Sequence, residues 1–564
     1  MPVTPTYPGL YIEELPFNTH TVQAAPTSIA AFVGYVNPWY TASPKGVGFS
    51  QPPGNPANAN ATTATVLYSF SDFETNFGGM FTSGLVDPSL PRAVYQFFAN
   101  GGSQAYVVGL KPRLYTSTGG IYGTFDGSAG QAIAYTASVP STTPPQGITF
   151  TAQQFTDLVP MSVIISNVRV GVTANVYDTF DVSIIYGSTI ETYRGVTIGA
   201  SATTNTNTAV WTVINAQSVL VTVTASSGGG NAGYGAQLVA PTPATGPSTT
   251  YNFTCAVLSP PPAAFYGCFL ALDFIDQLQA DTTLDQLEIF NLLLVPGVSD
   301  NSVQSAALAF AEQKLAFALL DPPANATISG KEAGLSIVAF ASSMPRSQNG
   351  AVYFPWLNST DTVTGNPIIV APSGYVAGIC AKTDVARGVW KAPAGMATGL
   401  LNTTGPALGG NVTDAQHGEL NINQAVNCLR QFASIGTVVF GSRTLVGNND
   451  AYAQSKYVPV RRMTLFLEQT LLANLRWVVF EPNDTPLWTA MKLEVEAFLL
   501  GIWNQGGLQG STPSQAFQVK CDSSTTSAAD QQNGIVNIVV AFAPLKPAEF
   551  VVIQIAQLAG QTAS

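Results

Sequence analysis

The stretch PRAVYQFFANGGSQAYVVGL, residues 91–110, sets the fold class of this chain. In its first half Val94 and Phe97 fall on one helical face. A glycine pair beginning at Gly101 ends the helix, and the apolar run Ala105–Leu110 that follows is typical of a buried strand. Because a helix leading directly into a buried strand is the repeating unit of α/β proteins, we expect an α/β domain here.

The same pattern continues on both sides of this unit. Ile29–Gly34 reads as a buried strand, and Ser71 with Glu74 forms a capping-box pattern that predicts a helix start before Phe77. After Pro260–Pro262 the pattern returns. It predicts that Leu284–Val295 ends in a strand and that Ser336–Ser342 and Ala351–Trp356 are strands. It also predicts helices at Ser302–Leu319, Ser373–Asp384 and Leu487–Trp503, and a long helix running into a strand over Val460–Val479.

Residues 111–254 differ in composition from the rest of the chain. They are rich in Thr, Ser, Gly, Val and Tyr, with short alternating runs such as Phe180–Tyr186 and Ser218–Thr224 between turn residues. This pattern predicts an all-β, sandwich-like domain inserted into the α/β chain. The expected fold class is therefore a multi-domain α/β (α+β) core with an inserted all-β domain and extended N- and C-terminal arms.

The two ends of the chain carry strand-like segments next to prolines. Near the start, closely spaced prolines up to Pro16 exclude a continuous helix, and Tyr7–Leu15 has strand character. Near the end, Glu549–Leu558 follows two proline breaks and is apolar on both faces of a strand. Either these strands are added to the sheet of a neighbouring chain, or the C-terminal one closes a hairpin within its own domain. These features alone leave both alternatives open.

The composition excludes several functional classes. The 564 residues carry 21 Lys and Arg against 32 Asp and Glu, a net charge of −11, which argues against a nucleic-acid partner. Charged residues make up only 9% of the chain, against about 25% in ordinary soluble proteins. No apolar run is long enough to span a membrane and no secretory signal is visible, so we expect a soluble, cytoplasmic protein. Five cysteines without a CxxC pair predict free thiols.

Candidate catalytic or cofactor-binding residues are few. They are the carboxylate pairs Glu13–Glu14 and Glu494 with Glu496, the two histidines His20 and His417, a GxGxxG pattern at Gly228, Gly230 and Gly233, and Gly330–Lys331. The glycine pattern precedes a segment rich in Pro, Thr and Gly rather than a helix, and Glu332 stands where a P-loop needs Ser or Thr. We therefore expect no enzymatic activity, no cofactor and no metal site.

A series of short segments, in a fixed order, carries a family resemblance. They are YPGLYIEE (7–14), TSIAAFVG (27–34), FFANGG (97–102), YFPW (353–356), APSGYVAG (371–378), TDVARGVWKAP (383–393), RR (461–462), WVVFEPND (477–484), PLW (486–488), CD (521–522) and PAEFV (547–551). In number and order they resemble the contractile tail sheath proteins of contractile-tailed bacteriophages and related contractile injection systems. The resemblance covers roughly residues 1–110 and 270–564 and leaves the role of the insertion open.

The resemblance implies a structural subunit without bond chemistry. Such subunits stack as hexameric rings around an inner tube, and their contraction drives the tube through a target envelope. The implied partners are other copies of the chain, six per ring, together with the inner tube protein, the baseplate and a tail terminator or cap protein. Assembly would take place in the bacterial host cytoplasm, within a virion tail or injection particle. The alternative is an adhesin-like particle protein that binds surfaces through its β-rich insertion.

The resemblance also implies site residues and domain limits. Arm strands shared between subunits would contain Tyr7, Leu10, Tyr11, Ile12, Phe550, Val551, Val552, Ile553 and Ile555, with flexible linkers at Pro16–Pro26 and Pro544–Pro547. The inner tube would be contacted by the helix Leu487–Trp503 and the loop Gly506–Gly510, through Lys492, Trp503, Gln505 and Leu508. The expected domains are 1–27, 28–110, 111–254, 255–455, 456–545 and 546–564.

Overall fold

The computed structural model divides the chain into two compact units. The large unit comprises residues 27–461, and the small unit comprises residues 1–26 and 462–564. The residues described are 21–39, 63–125, 131–132, 135–140, 147–169, 178–198, 206–226, 248–255, 267–328, 336–407, 412–447 and 450–554.

The strands follow one another along the chain in this order. They are β1 Ala30–Tyr35, β2 Thr65–Leu67, β3 Ala105–Leu110, β4 Arg113–Tyr115, β5 Ile121–Thr124, β6 Gln131–Ala132, β7 Tyr135–Pro140, β8 Gly147–Ala152, β9 Met161–Arg169, β10 Asp178–Tyr186, β11 Thr189–Ile198, β12 Val221–Ser226, β13 Ser248–Asn252, β14 Thr254–Cys255, β15 Leu292–Leu294, β16 Phe317–Leu320, β17 Gly350–Phe354, β18 Leu357–Thr360, β19 Pro367–Val370, β20 Gly405–Pro406, β21 Val426–Phe432, β22 Gly436–Val439, β23 Phe517–Lys520 and β24 Val539–Phe542.

The α-helices are interspersed with these strands. They are α1 Phe70–Phe77, α2 Ser89–Ala99, α3 Val210–Gln217, α4 Ala271–Ile275, α5 Asn301–Gln313, α6 Ile337–Ser343, α7 Pro372–Arg387, α8 Asp414–Asn423, α9 Val458–Asn474, α10 Thr485–Asn504, α11 Pro513–Ala516 and α12 Ala528–Gln532.

An eight-stranded sheet forms the core of the large unit. Its order is β2-β3-β1-β15-β16-β17-β21-β22, with parallel pairing from β3 to β21 and an antiparallel strand at each edge. Every residue of β1, β15, β16 and β17 is buried, as continuous apolar runs in a parallel sheet require. Strands on both sides of residues 111–254 therefore belong to one sheet, and the expected α/β core is confirmed.

The intervening residues fold as two four-stranded antiparallel sheets, β11-β10-β9-β13 and β12-β8-β7-β14, and a small sheet β4-β5-β6. They also contain helix α3, so the insertion is β-rich rather than all-β. The sequence of α3, VWTVINAQ, is dominated by residues that favour strands. Burial of Val210 and Ile214, both fully inaccessible, overrides that preference.

Four local predictions are wrong. The helix predicted over Ser302–Leu319 ends at Gln313, and Phe317–Leu320 forms the buried strand β16 instead. Ser336–Ser342, predicted as a strand, forms α6, where the Ser336 hydroxyl accepts from the Ala339 N–H as an N-cap. Helix α1 begins two residues earlier than its predicted start, with the capping box formed by Ser69 and Asp72. Helix α9 ends at Asn474 and is followed by a short 3₁₀ turn, not by a strand.

Helices α2 and α7 pack so closely that glycine is required at their contact. A Cβ atom at Gly374 would lie 2.5 Å from the Ala93 carbonyl oxygen, and one at Gly378 would lie 2.7 Å from the Phe97 carbonyl oxygen. Both obstacles are backbone atoms, which cannot rotate away. The APSGYVAG segment thus brings α7 against α2 on the large unit's sheet.

We predict that Gly374→Ala destabilises the large unit by about 2–3 kcal/mol, because the added methyl group forces the two helices apart. Gly418→Ala in α8 is the matched control, since a Cβ atom at position 418 would have no neighbouring atom within 4 Å. The control should raise the free energy of unfolding by about 0.5–1 kcal/mol. Denaturant unfolding checks both variants, and equal effects would contradict the tight helix contact.

Candidate functional site

At the carboxyl edge of the parallel sheet, where many α/β proteins bind ligands, a carboxylate of the chain is hydrogen-bonded to the N-terminus of α7. Asp321 directly follows β16 and is fully buried. Its carboxylate accepts hydrogen bonds from the Ser373 N–H (2.9 Å), the Ser373 hydroxyl (2.6 Å) and the Gly297 N–H (3.0 Å). The carboxylate therefore occupies the place at the N-terminus of α7 that a bound anion would take.

Asp321 gives the large unit a specific pH dependence. Burial raises the pKa of its carboxyl group to about 6, against the opposing effect of the hydrogen bonds from Ser373 and Gly297. Because the folded-state pKa lies above the unfolded one, the stability linked to this group is fully present below about pH 4 and is lost as the pH rises to about 6.

We predict that Asp321→Asn removes this dependence. The free energy of unfolding of the wild type, relative to the variant, should fall by up to about 3 kcal/mol between pH 4 and pH 7. Urea unfolding of both proteins at several pH values measures the difference. Parallel pH profiles would contradict the assigned protonation.

The thiols of four cysteines and the imidazole of His417, all among the described residues, lie at buried or half-buried positions. Cys268, Cys380, Cys428 and Cys521 are buried and are not joined in disulfides, as the absence of a CxxC pair predicted for them. Burial raises the pKa of Cys268 and of Cys428 to about 12, which keeps both thiols protonated at neutral pH. The ring of His417 packs against Phe440, with ring centroids 5.8 Å apart.

Metal-binding clusters and membrane-spanning helices are both absent from the part of the chain that the structure describes. Those residues contain no group of three or more His, Cys, Asp or Glu side chains placed to hold a metal ion. Within the same ranges, no helix has the length and apolar character needed to cross a membrane. His20, the GxGxxG glycines and Gly330–Lys331 lie outside the described residues.

The small unit contains an incomplete sheet. Strands β23 and β24 pair antiparallel, with Phe517 opposite Phe542 and Lys520 opposite Val539. Among the residues that the structure describes, no third strand joins them. Below the sheet, Leu487 and Met491 of α10 pack with Cys521 in a small apolar cluster. A two-stranded sheet is marginal by itself in water, so this one gains from further pairing.

The predicted C-terminal arm strand extends into solvent. Phe550, Val551, Val552 and Ile553 are between 67% and 82% exposed, and up to residue 554 the segment forms no strand. Four consecutive large apolar side chains are therefore left without cover, next in sequence to a sheet that lacks strands. Tyr7, Leu10, Tyr11, Ile12 and Ile555 lie outside the described residues.

The predicted tube-contact residues have different environments. Lys492 Nζ lies 3.8 Å from Glu496 Oε1 one turn along α10. The indole N–H of Trp503 donates to the Gly510 carbonyl (3.0 Å), and Gln505 is exposed. Leu508, by contrast, is only 4% exposed, and its backbone forms a bridge with Pro544. Its side chain packs inside the small unit and offers no contact surface.

The sequence reasoning missed several exposed apolar side chains of the small unit, among them three that lie on α10 or just before it. Leu493 is 59% and Leu500 39% exposed on the outer face of α10, seven residues and thus two helical turns apart. Phe480, in the loop before α10, is fully exposed and has a backbone φ of +74°. Leu493 and Leu500 are seven residues apart, at positions that do not belong to the buried face of α10. This spacing is the sequence signal that could have revealed the two leucines.

Family comparisons match the two regions that contain this geometry. The family model described as phage tail sheath protein central domain matches residues 275–445, and the phage tail sheath C-terminal domain matches residues 450–557. Both matched regions belong to the phage tail sheath family. The first match includes the parallel sheet from β15 to β22, and the second includes the incomplete sheet and the exposed segment after it. The β-rich insertion lies outside both.

Individual relatives support this membership at low identity. A tail sheath protein of Vibrio phage KVP40 is 28% identical over 32% of this chain. A putative prophage major tail sheath protein of Pseudomonas aeruginosa is 28% identical over 46% of this chain. The aligned regions span 25% and 62% of the length of these two relatives.

Solved structures share the fold over nearly the whole chain. The sheath of an extracellular contractile injection system, the PVC complex in its contracted state, has a TM-score of 0.54 at 20% identity, covering 98% of both chains. The contracted helical sheath of the anti-feeding prophage has a TM-score of 0.52 at 20% identity, covering 98% of this chain and all of the other. A sheath tail protein of Desulfitobacterium hafniense has a TM-score of 0.50 at 11% identity, covering 91% and 93%.

Proposed function

We propose that this protein is the subunit of a contractile sheath that forms stacked hexameric rings around an inner tube and shortens to drive the tube through a target cell envelope. The observation that carries the proposal is that one unit contains both an incomplete sheet, β23–β24, and an exposed apolar segment, Phe550–Ile553, that is not part of any strand. The chain would be part of a virion tail or an injection particle assembled in the bacterial cytoplasm. It would need neither a cofactor nor catalysis.

The exposed segment has the chemistry of a donated strand. In an extended segment Phe550 and Val552 point to one side, and Val551 and Ile553 to the other, so both faces are apolar. Such a strand is stable only where both faces are covered, which its own unit does not provide. Burial of each large side chain would contribute about 1.5–3 kcal/mol. Backbone hydrogen bonds to the edge of a neighbour's sheet would add to this.

Strand exchange suits a structure that must shorten without coming apart. Ladder hydrogen bonds between copies persist while the linkers that lead to the exchanged strands absorb the rotation of rigid units. If contraction uses no nucleotide, the extended form would be metastable and would convert to a packing that buries more surface between copies. The low charge content supports this mechanism, because neutral surface costs less to desolvate than charged surface.

The inner tube would contact the outer face of α10 and the loop after it. Lys492 offers a cation to an acidic partner surface, and Trp503 and Gln505 extend the face towards the end of the helix. Leu493 and Leu500 add apolar area, which supports a contact that depends only partly on charge. The ends of the polymer would bind the baseplate and a terminator or cap protein.

We predict that deleting residues 550–564 leaves folded subunits that do not polymerise. The wild type should form striated cylinders in negative-stain microscopy, whereas an adhesin-like protein would give isolated particles. A finer test uses Val552→Pro, which removes a ladder N–H, with Val552→Thr as the control that keeps a strand-favouring residue. Normal cylinders from the truncated protein or from the proline variant would refute strand exchange.

We predict that Lys492→Glu weakens binding to the inner tube about tenfold, while sheath subunits still polymerise with each other. Lys382→Glu, an exposed site on α7 of the large unit, is the charge-matched control. Co-sedimentation of sheath with purified tube measures the effect, and its salt dependence reports the contribution of charge. Equal tube binding by both variants would remove Lys492 from the interface.

A further inference from the structure

A short N-terminal segment of the small unit is bound to helix α9 through its backbone. The Oδ1 atom of Asn474, the last residue of α9, accepts from the Gln23 N–H at 2.9 Å, and its Nδ2 donates to the Gln23 carbonyl at 2.8 Å. One turn earlier the Thr470 hydroxyl oxygen accepts from the Ala25 N–H at 3.1 Å. Three hydrogen bonds from two side chains thus hold residues 23–25.

The hydrogen bonds that hold Gln23 and Ala25 have the pattern found at the edge of a sheet, which is unlike an incidental surface contact. The carboxamide of Asn474 offers Gln23 one acceptor and one donor, the same pair that a residue of an adjacent strand would offer. Gln23 and Ala25 are two residues apart, so their N–H groups point to the same side of an extended segment. Asn474 Nδ2 also donates to the Thr470 carbonyl at 2.8 Å, which fixes the orientation of the carboxamide.

We propose that Asn474 and Thr470 form a clamp that sets the point from which the N-terminal arm leaves the small unit, and that this clamp positions the arm for donation to a neighbouring copy. The proposal rests on the proposed sheath function. It fixes residues 23–25, which lie within the predicted flexible linker Pro16–Pro26, so that this part of the linker is held by hydrogen bonds. The 22 residues before Gln23, fully extended, would reach about 75 Å.

The clamp acts by preorganisation. An arm that starts from a fixed point has a higher effective concentration at its target than an arm that starts from a mobile segment. Residues 23–25 are ordered before assembly, so their backbone entropy is not lost during the docking step. The role belongs to the side chains at positions 470 and 474, because at positions 23 and 25 only backbone groups take part.

The test compares Asn474→Leu with Asn423→Leu. Both asparagines are the last residues of their helices, but the Asn423 carboxamide donates to Glu419 within its own helix α8. In unassembled full-length subunits, amide hydrogen exchange at Gln23 and Ala25 should accelerate about tenfold in Asn474→Leu and stay unchanged in Asn423→Leu. The critical concentration for polymerisation should rise about tenfold in the first variant only, since the competent state is less populated.

A second pair of variants keeps the test valid if Asn474→Leu folds poorly. Thr470→Val removes the acceptor of the Ala25 N–H without changing volume and should accelerate exchange at that amide, whereas Thr470→Ser should restore the wild-type rate. Unchanged exchange at Gln23 in Asn474→Leu, or faster exchange with an unchanged critical concentration, would overturn the proposal. Failure of the wild type to polymerise would instead overturn the proposed function, and the positioning role with it, while leaving the hydrogen bonds themselves intact.

Discussion

The unfilled hydrogen-bonding capacity of the β23–β24 sheet is the constraint on which the proposed assembly depends. Each strand has a partner on one side among the described residues, and two strands alone bury too little surface for independent stability. The same unit leaves Phe550–Ile553 exposed, at a cost in free energy that only another surface can remove. The proposed pairing with another copy would satisfy both deficits.

The large unit supplies rigidity. Its parallel sheet is covered on both faces, and the glycines of α7 allow a helix contact closer than other residues permit. The insertion is joined to it through buried Asp273, which accepts from the hydroxyls of Tyr35 on β1 (3.1 Å) and Tyr115 on β4 (2.6 Å). Because buried polar networks and dense packing resist gradual deformation, such a unit would rotate as a body during contraction.

The low charge content and the exposed apolar side chains both make the surface of this protein easier to bury in an interface. Phe480, Leu493 and Leu500 are costly on a monomer, but they are well suited to a protein whose surface becomes interface. A subunit that must exchange one set of neighbours for another benefits from contacts with a low desolvation cost. The proposed clamp at Asn474 adds order at the one point where a free arm would otherwise start from a variable position.

The sequence by itself determined the features that local periodicity encodes. The α/β alternation, the change of character at the insertion, helices α7 and α10 and the apolar segment at the C-terminus could be read from apolar spacing and turn residues, and the ordered motifs pointed to the family. Only the tertiary structure decided the rest. It made Ser336–Ser342 and Val210–Gln217 helical, buried Leu508, and brought Asn474 to Gln23 across more than four hundred residues. These outcomes depend on contacts between distant segments, whose burial and hydrogen bonds outweigh local preference and leave no periodic signal in the chain.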